Sequence, residues 1–156
     1  CPLMAAELLP SDFFNTKAPR YTKVHKGMNK EERESLSNKI IGASIEVHKQ
    51  LGPGLLEAVY EYCLLEELKA MGIRAESQVG LPVVYKGKQL DKDFKVDVLV
   101  EDEIILELKA VEAVLPVHEE QLLTYLKLSN KRLGLLINFN VALLKNGIHR
   151  KINGYD

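Results

Sequence analysis

Residues 94–110 read FKVDVLVEDEIILELKA, and their alternation decides the fold. Val96, Val98 and Val100 alternate with Lys95, Asp97 and Leu99. Beyond the acidic run 101–103, Ile104, Leu106 and Leu108 alternate with Ile105, Glu107 and Lys109. This period of two predicts two strands and a turn, with both leading apolar sets on one face and Asp97, Glu107 and Lys109 on the other. The shared face constrains the turn. A two-residue loop at Glu101 and Asp102 sets Asp97 opposite Leu106 and splits the carboxylates between faces. A three-residue loop, 101–103, sets Asp97 opposite Glu107. Two carboxylates side by side, with an ammonium one step along the same face, form a candidate site for a hard divalent cation such as Mg²⁺ or Mn²⁺. By this reading all three groups face solvent, and the rival reading is a solvated hairpin face closed by a salt bridge.

The surroundings place that hairpin in an α/β domain. From Asn29, a suitable N-cap, Leu36, Ile40, Ala43, Val47 and Leu51 recur at helical spacing. Gly52-Pro53-Gly54 ends this helix and is expected to open a second one, with Pro53 in its first turn. Leu56, Tyr60, Cys63, Leu64, Leu68 and Met71 are its expected inner face. Val79, Leu81, Val83 and Tyr85 alternate in a strand whose Pro82 suggests an edge or a bulge, and Lys86-Gly87-Lys88 reads as a turn. After the central hairpin, Pro116 opens a third helix carrying His118, Gln121, Tyr125 and Leu128 on one face. The apolar run 133–139 (LGLLINF) suits a strand covered on both sides. A strand, a helix and a strand in that order predict a β-α-β crossover with parallel strands. Residues 148–152 complete the sheet as a last edge strand.

The chain has 156 residues and a net charge of −1, enough for one domain and too balanced for a nucleic-acid coat. Any nucleic-acid contact must then come from a local patch or through metal. Cys1 and Cys63 form neither a disulfide framework nor a zinc spacing, which suits a reducing compartment; the cytoplasm is the expected location, with no membrane partner. Residues 1–27 carry scattered prolines and no period, and Met28 stands directly before the first helix. The expected organisation is an irregular tail, 1–27, native or added upstream, followed by a single domain, 28–156.

Two further motifs are weaker alone. Gln121-x-x-x-Tyr125 places a polar pair on one helical face, which serves either a site or a boundary packing role. In Gly54-x-x-Glu57-x-x-Tyr60, Gly54 permits a turn, Glu57 complements the helix dipole and Tyr60 points inward, a structural account sufficient by itself. Taken together, Asp97, Glu107-x-Lys109 and Gln121-x-x-x-Tyr125 resemble the PD-(D/E)XK nuclease superfamily. The strings LGPGLLEAVYEYCL and HEEQLLTYLKLSNKRLGLLINF resemble its small GxxExxY family. Val96 stands where the superfamily name has Pro, a position without chemistry. The resemblance implies a restriction-endonuclease-like core: two N-terminal helices, a mixed central sheet and a catalytic-type hairpin. It implies that Asp97, Glu107 and Glu57 are metal ligands, Lys109 the catalytic lysine, and Gln121 and Tyr125 a helix signature over the site. The implied activity is metal-dependent hydrolysis of phosphodiester bonds in DNA, or in RNA. The alternatives are a silent adaptor binding nucleic acid or protein, and a subunit active only within a larger complex; a protein partner or a homodimer is compatible with either.

Overall fold

Asn29 starts the first helix by a reciprocal cap: its side chain accepts from the Glu32 amide at 2.8 Å, and Glu32 accepts from the Asn29 amide at 2.9 Å. In the computed structural model, which describes residues 27–154, this helix is α1 (Lys30–Leu51). There follow α2 (Glu57–Ala70), β1 (Ala75–Tyr85), β2 (Lys88–Val100), β3 (Ile104–Lys109), α3 (Pro116–Ser129), β4 (Leu133–Asn138) and β5 (Ile148–Ile152). The expected tail lies outside the described residues except for Gly27.

The strands form one sheet in the order β1-β2-β3-β4-β5. β3 and β4 are parallel and every other pair antiparallel, so the predicted β-α-β unit and mixed sheet are present. The β2–β3 register opposes Val98 to Leu106 and Val100 to Ile104. That is the three-residue turn. Glu101 and Asp102 take positive φ of 52° and 58°, unusual for side chains of this kind. Bonds from outside the turn hold it. The Glu101 amide donates to the Arg74 carbonyl and the Arg74 amide to Glu101 Oε2, each at 2.8 Å, and Lys131 Nζ donates to the Asp102 carbonyl at 2.8 Å.

Each face of the sheet has its own core. α1 and α2 pack Leu36, Ile40, Val47, Tyr60, Leu64 and Leu68 against Val98, Val100, Ile104, Leu106 and Leu108. α3 packs Leu122 and Leu126 against Val96, Leu99, Ile105 and Leu136. Gly134 makes the second contact close: a Cβ there would lie 2.8 Å from Leu122 Cδ1. β4, covered on both sides, is buried throughout, which is why its sequence shows no alternation.

Three expectations need correction. Val96 does not join Val98 and Val100; it packs on the α3 side, so the alternation of β2 slips at Asp97. Its neighbour across the β1–β2 ladder, Gln78, has φ of +52°, and both strands depart from regular pleating there. The helix α2 does not begin at Pro53. Gly54, at φ +100°, turns the chain, and helix starts only at Glu57. Leu56 precedes that start and Met71 follows the last helical residue, Ala70, so both lie outside the inner face, 77% and 46% exposed.

Candidate active site

The site forms where two strands separate. The β2–β3 ladder runs from Val100 to Val98, while β3 continues beside β4 through Lys109. In the fork the side chains take over the backbone's hydrogen bonds. The Asp97 amide donates to Glu107 Oε2 at 3.1 Å, and the Leu108 amide donates to Asp97 Oδ2 at 2.8 Å. Each carboxylate is thus held by the opposite strand through one oxygen. The other oxygens, Asp97 Oδ1 and Glu107 Oε1, have no hydrogen-bond partner among the described residues. The two groups stand opposite each other, as the turn length required.

Burial separates their roles. Glu107 is 7% exposed, not solvent-facing as expected, because α3 covers this face. Burial above all, then the Asp97 charge, push its carboxyl up to about 7; the Asp97 amide and Lys109 partly offset this. Asp97 is half-buried at the mouth of the fork. Lys109 closes no ion pair with either acid among the described residues, so the salt-bridged hairpin does not form.

Helices supply both walls. From α2, Glu57 Oε2 accepts from the Ala110 amide at 3.3 Å, just beyond Lys109. Gly52 to Leu56 is held for this by Tyr60, whose hydroxyl donates to the Gly52 carbonyl at 2.6 Å and accepts from the Leu55 amide at 3.1 Å. The Tyr60 ring stacks on Phe139 at 4.4 Å. From α3, Tyr125 stacks on Phe94 at 4.5 Å; burial, then the charges of Glu107 and Asp97, raise its phenol's pKa, and the Gln121 side chain partly offsets this. Tyr125 therefore shares the acids' electrostatic neighbourhood, while Gln121, the other residue of the expected pair, is exposed.

Three contributors were not anticipated. Glu61, one turn after Glu57, has its pKa raised by burial and by Asp97 and Glu57, and accepts from Gln78 Nε2 at 3.0 Å. Its spacing of four from Glu57 was a readable signal. Gln78, opposite Asp97, carries none. Asn138, 3% exposed and paired with Lys109 across β3–β4, accepts from the Val111 amide at 3.0 Å and donates to the Val111 carbonyl at 2.9 Å, fixing the chain beyond Lys109.

Among the described residues, no group of three or more His, Cys, Asp and Glu converges as a metal cage. Glu57 is thus not gathered with Asp97 and Glu107 as a third direct ligand. The pair alone fits a hard divalent cation of the Mg²⁺ type, which commonly keeps several waters and takes only one or two carboxylates. Two fixed hard-oxygen donors with one free oxygen each fit that mode, and their mutual repulsion favours a cation between them.

No helix among the described residues is long and apolar enough to cross a membrane. No curated protein matches the chain. Among solved structures, the crystal structure of SSO0001 resembles it at 22% identity with a TM-score of 0.43, over 64% of this chain and 50% of that one. The present chain thus spans half the length of that relative. The family model of the PD-(D/E)XK nuclease superfamily matches residues 34–151, from the second turn of α1 to β5. On that match the chain belongs to the PD-(D/E)XK nuclease superfamily.

Proposed function

We propose that the protein is a metal-dependent nuclease of the GxxExxY group, hydrolysing phosphodiester bonds in DNA in preference to RNA. The observation that supports this best is the fork, where Asp97 and Glu107 are each pinned by the opposite strand and keep an oxygen turned to no partner. When bound, Mg²⁺ or Mn²⁺ supplies Lewis acidity to a phosphoryl oxygen and lowers the pKa of attacking water. Asp97 and Glu107 would hold the ion, and Glu57, fixed on the Ala110 amide, would add negative charge beside them. Lys109, uncommitted to either acid, donates where negative charge builds on the phosphate. Gln121 and Tyr125 form the polar wall facing the acids. Residues 28–156 act as one domain, in the cytoplasm, and residues 1–27 are dispensable to it.

The test is cleavage of single- and double-stranded DNA and RNA with Mg²⁺, Mn²⁺ or chelator, using wild type, Asp97→Asn and Glu107→Gln. Wild-type cleavage that needs metal and both acids supports the reading. Activity surviving both substitutions places the chemistry elsewhere. A wild type that binds no divalent ion at millimolar concentration moves the protein to the adaptor reading.

A further inference from the structure

The two longest strands run past the sheet they belong to. β1 and β2 pair from Ala75 opposite Val100 out to Tyr85 opposite Lys88, yet β2 pairs with β3 only over Val98–Val100. Residues outward of Asp97 therefore form a two-stranded arm, closed by Lys86 and Gly87 and broken in register between Pro82 and Val84. Its root rests on α3 through Val79, Leu81 and Phe94. Nine residue steps lead from Lys88 to Asp97, roughly 30 Å of strand.

The composition of the arm departs from that of the chain. Four lysines, Lys86, Lys88, Lys92 and Lys95, stand against two aspartates, Asp91 and Asp93, in a protein of net charge −1. All four lysines are exposed, and among the described residues none is committed to an ion pair. Lys86 Nζ lies over the Tyr85 ring at 5.5 Å. Tyr85 is itself 60% exposed and Val84 46%. An isolated hairpin is marginal in water and gains nothing from exposing such side chains. A two-stranded ribbon does match the major groove of a duplex, about 12 Å wide, and free ammoniums match its phosphates.

From this juxtaposition we infer that the arm is a duplex-binding ribbon, which lays nucleic acid across the fork at its root. The inference rests on the nuclease reading for its choice of partner. It explains how a nearly neutral protein grips a polyanion: the positive charge is placed on a lever starting at the two acids. Asp97 is both the first residue of the fork and the base of the arm, so a duplex held along the arm reaches the carboxylates.

The experiment measures binding to a labelled duplex of roughly 30 base pairs, about three helical turns, over a salt series with chelator present. Wild type is compared with the triple variant Lys86→Gln, Lys88→Gln, Lys92→Gln, and with Lys39→Gln, Lys49→Gln, Lys69→Gln, which changes net charge equally on α1 and α2. The arm variant is expected to bind at least tenfold more weakly, with a log–log salt slope shallower by roughly 2–3, while the helix variant stays near wild type. Equal losses in both variants, or none in either, overturn the inference and leave the nuclease reading to its own cleavage assay. Absence of duplex binding by wild type at low salt overturns it too; metal-dependent cleavage of single strands by the same sample would show the active site intact. Sedimentation provides the last outcome. A wild-type dimer that the arm variant dissociates, with duplex binding unchanged, assigns the arm to a second copy and overturns the inference.

Discussion

A carboxyl whose pKa is about 7 in the native chain against an ordinary 4.5 binds protons more tightly folded than unfolded. Its contribution to stability is therefore complete below pH 4.5 and lost as pH rises through 7. At 1.36 kcal/mol per unit the loss is about 3 kcal/mol. We predict that the metal-free protein becomes less stable from pH 4.5 to 7.5, and that Glu107→Gln removes most of this slope and is the more stable protein at pH 8. Denaturant unfolding across that range checks it; a wild type whose stability rises steadily through the window contradicts the buried, repelled carboxyl. Lys109 gives the complementary case. Lys109→Met keeps most of the stem and removes the charge, so metal affinity should hold while turnover falls by about 10²–10³-fold. Equal losses of both, measured by calorimetry and single-turnover cleavage, would make Lys109 a structural residue instead. The opposition of Asp97 to Glu107 was legible in the sequence as one of two registers, the one that a three-residue loop sets. The burial of Glu107 was not, since α3 covers it from a separate part of the chain.

Elements show where local pattern stops being informative. β2 reads as seamless alternation through Val96, Val98 and Val100, yet the backbone switches faces at Asp97, opposite a left-handed Gln78. Nothing in either residue type announces that slip. The late start of α2 has a clearer cause. Pro53 satisfies the usual first-turn preference, but the Tyr60 hydroxyl binds Gly52 and Leu55 and holds the intervening loop out of helix. Tyr60→Phe keeps the stack on Phe139 and leaves that carbonyl and amide to find water. We predict a stability loss of about 1–3 kcal/mol, from two part-buried hydrogen bonds at roughly 0.5–1.5 kcal/mol each, and faster amide exchange at Leu55. Metal affinity and cleavage should also drop, because the loop leads directly into Glu57. Unchanged activity in a destabilised Tyr60→Phe protein would separate Tyr60 from the site and confine it to packing.

At the scale of the molecule, the sheet holds two like charges together and a bound ion should relieve them. Folding brings Asp97 and Glu107 opposite each other on neighbouring strands that are each packed into both cores, β2 through Val98 and Val100 on one face and Val96 and Leu99 on the other, β3 through Leu106 and Leu108 on one face and Ile105 on the other. The unfolded chain has no such arrangement, so it has little affinity for the ion and binding acts as folding free energy. At an ion concentration 100 times the dissociation constant, the gain is about 2.7 kcal/mol. Protonation of Glu107 competes, so affinity should climb as pH rises from 6 to 8 and then level. We therefore predict that Mg²⁺ or Mn²⁺ raises the unfolding midpoint more at pH 8 than at pH 6, and that Asp97→Asn and Glu107→Gln each abolish the difference. Ca²⁺, larger and content with flexible oxygen shells, should stabilise without supporting cleavage. Thermal unfolding over a metal and pH matrix checks this. A midpoint shift that is independent of pH, or that survives both substitutions, would locate the ion away from the fork.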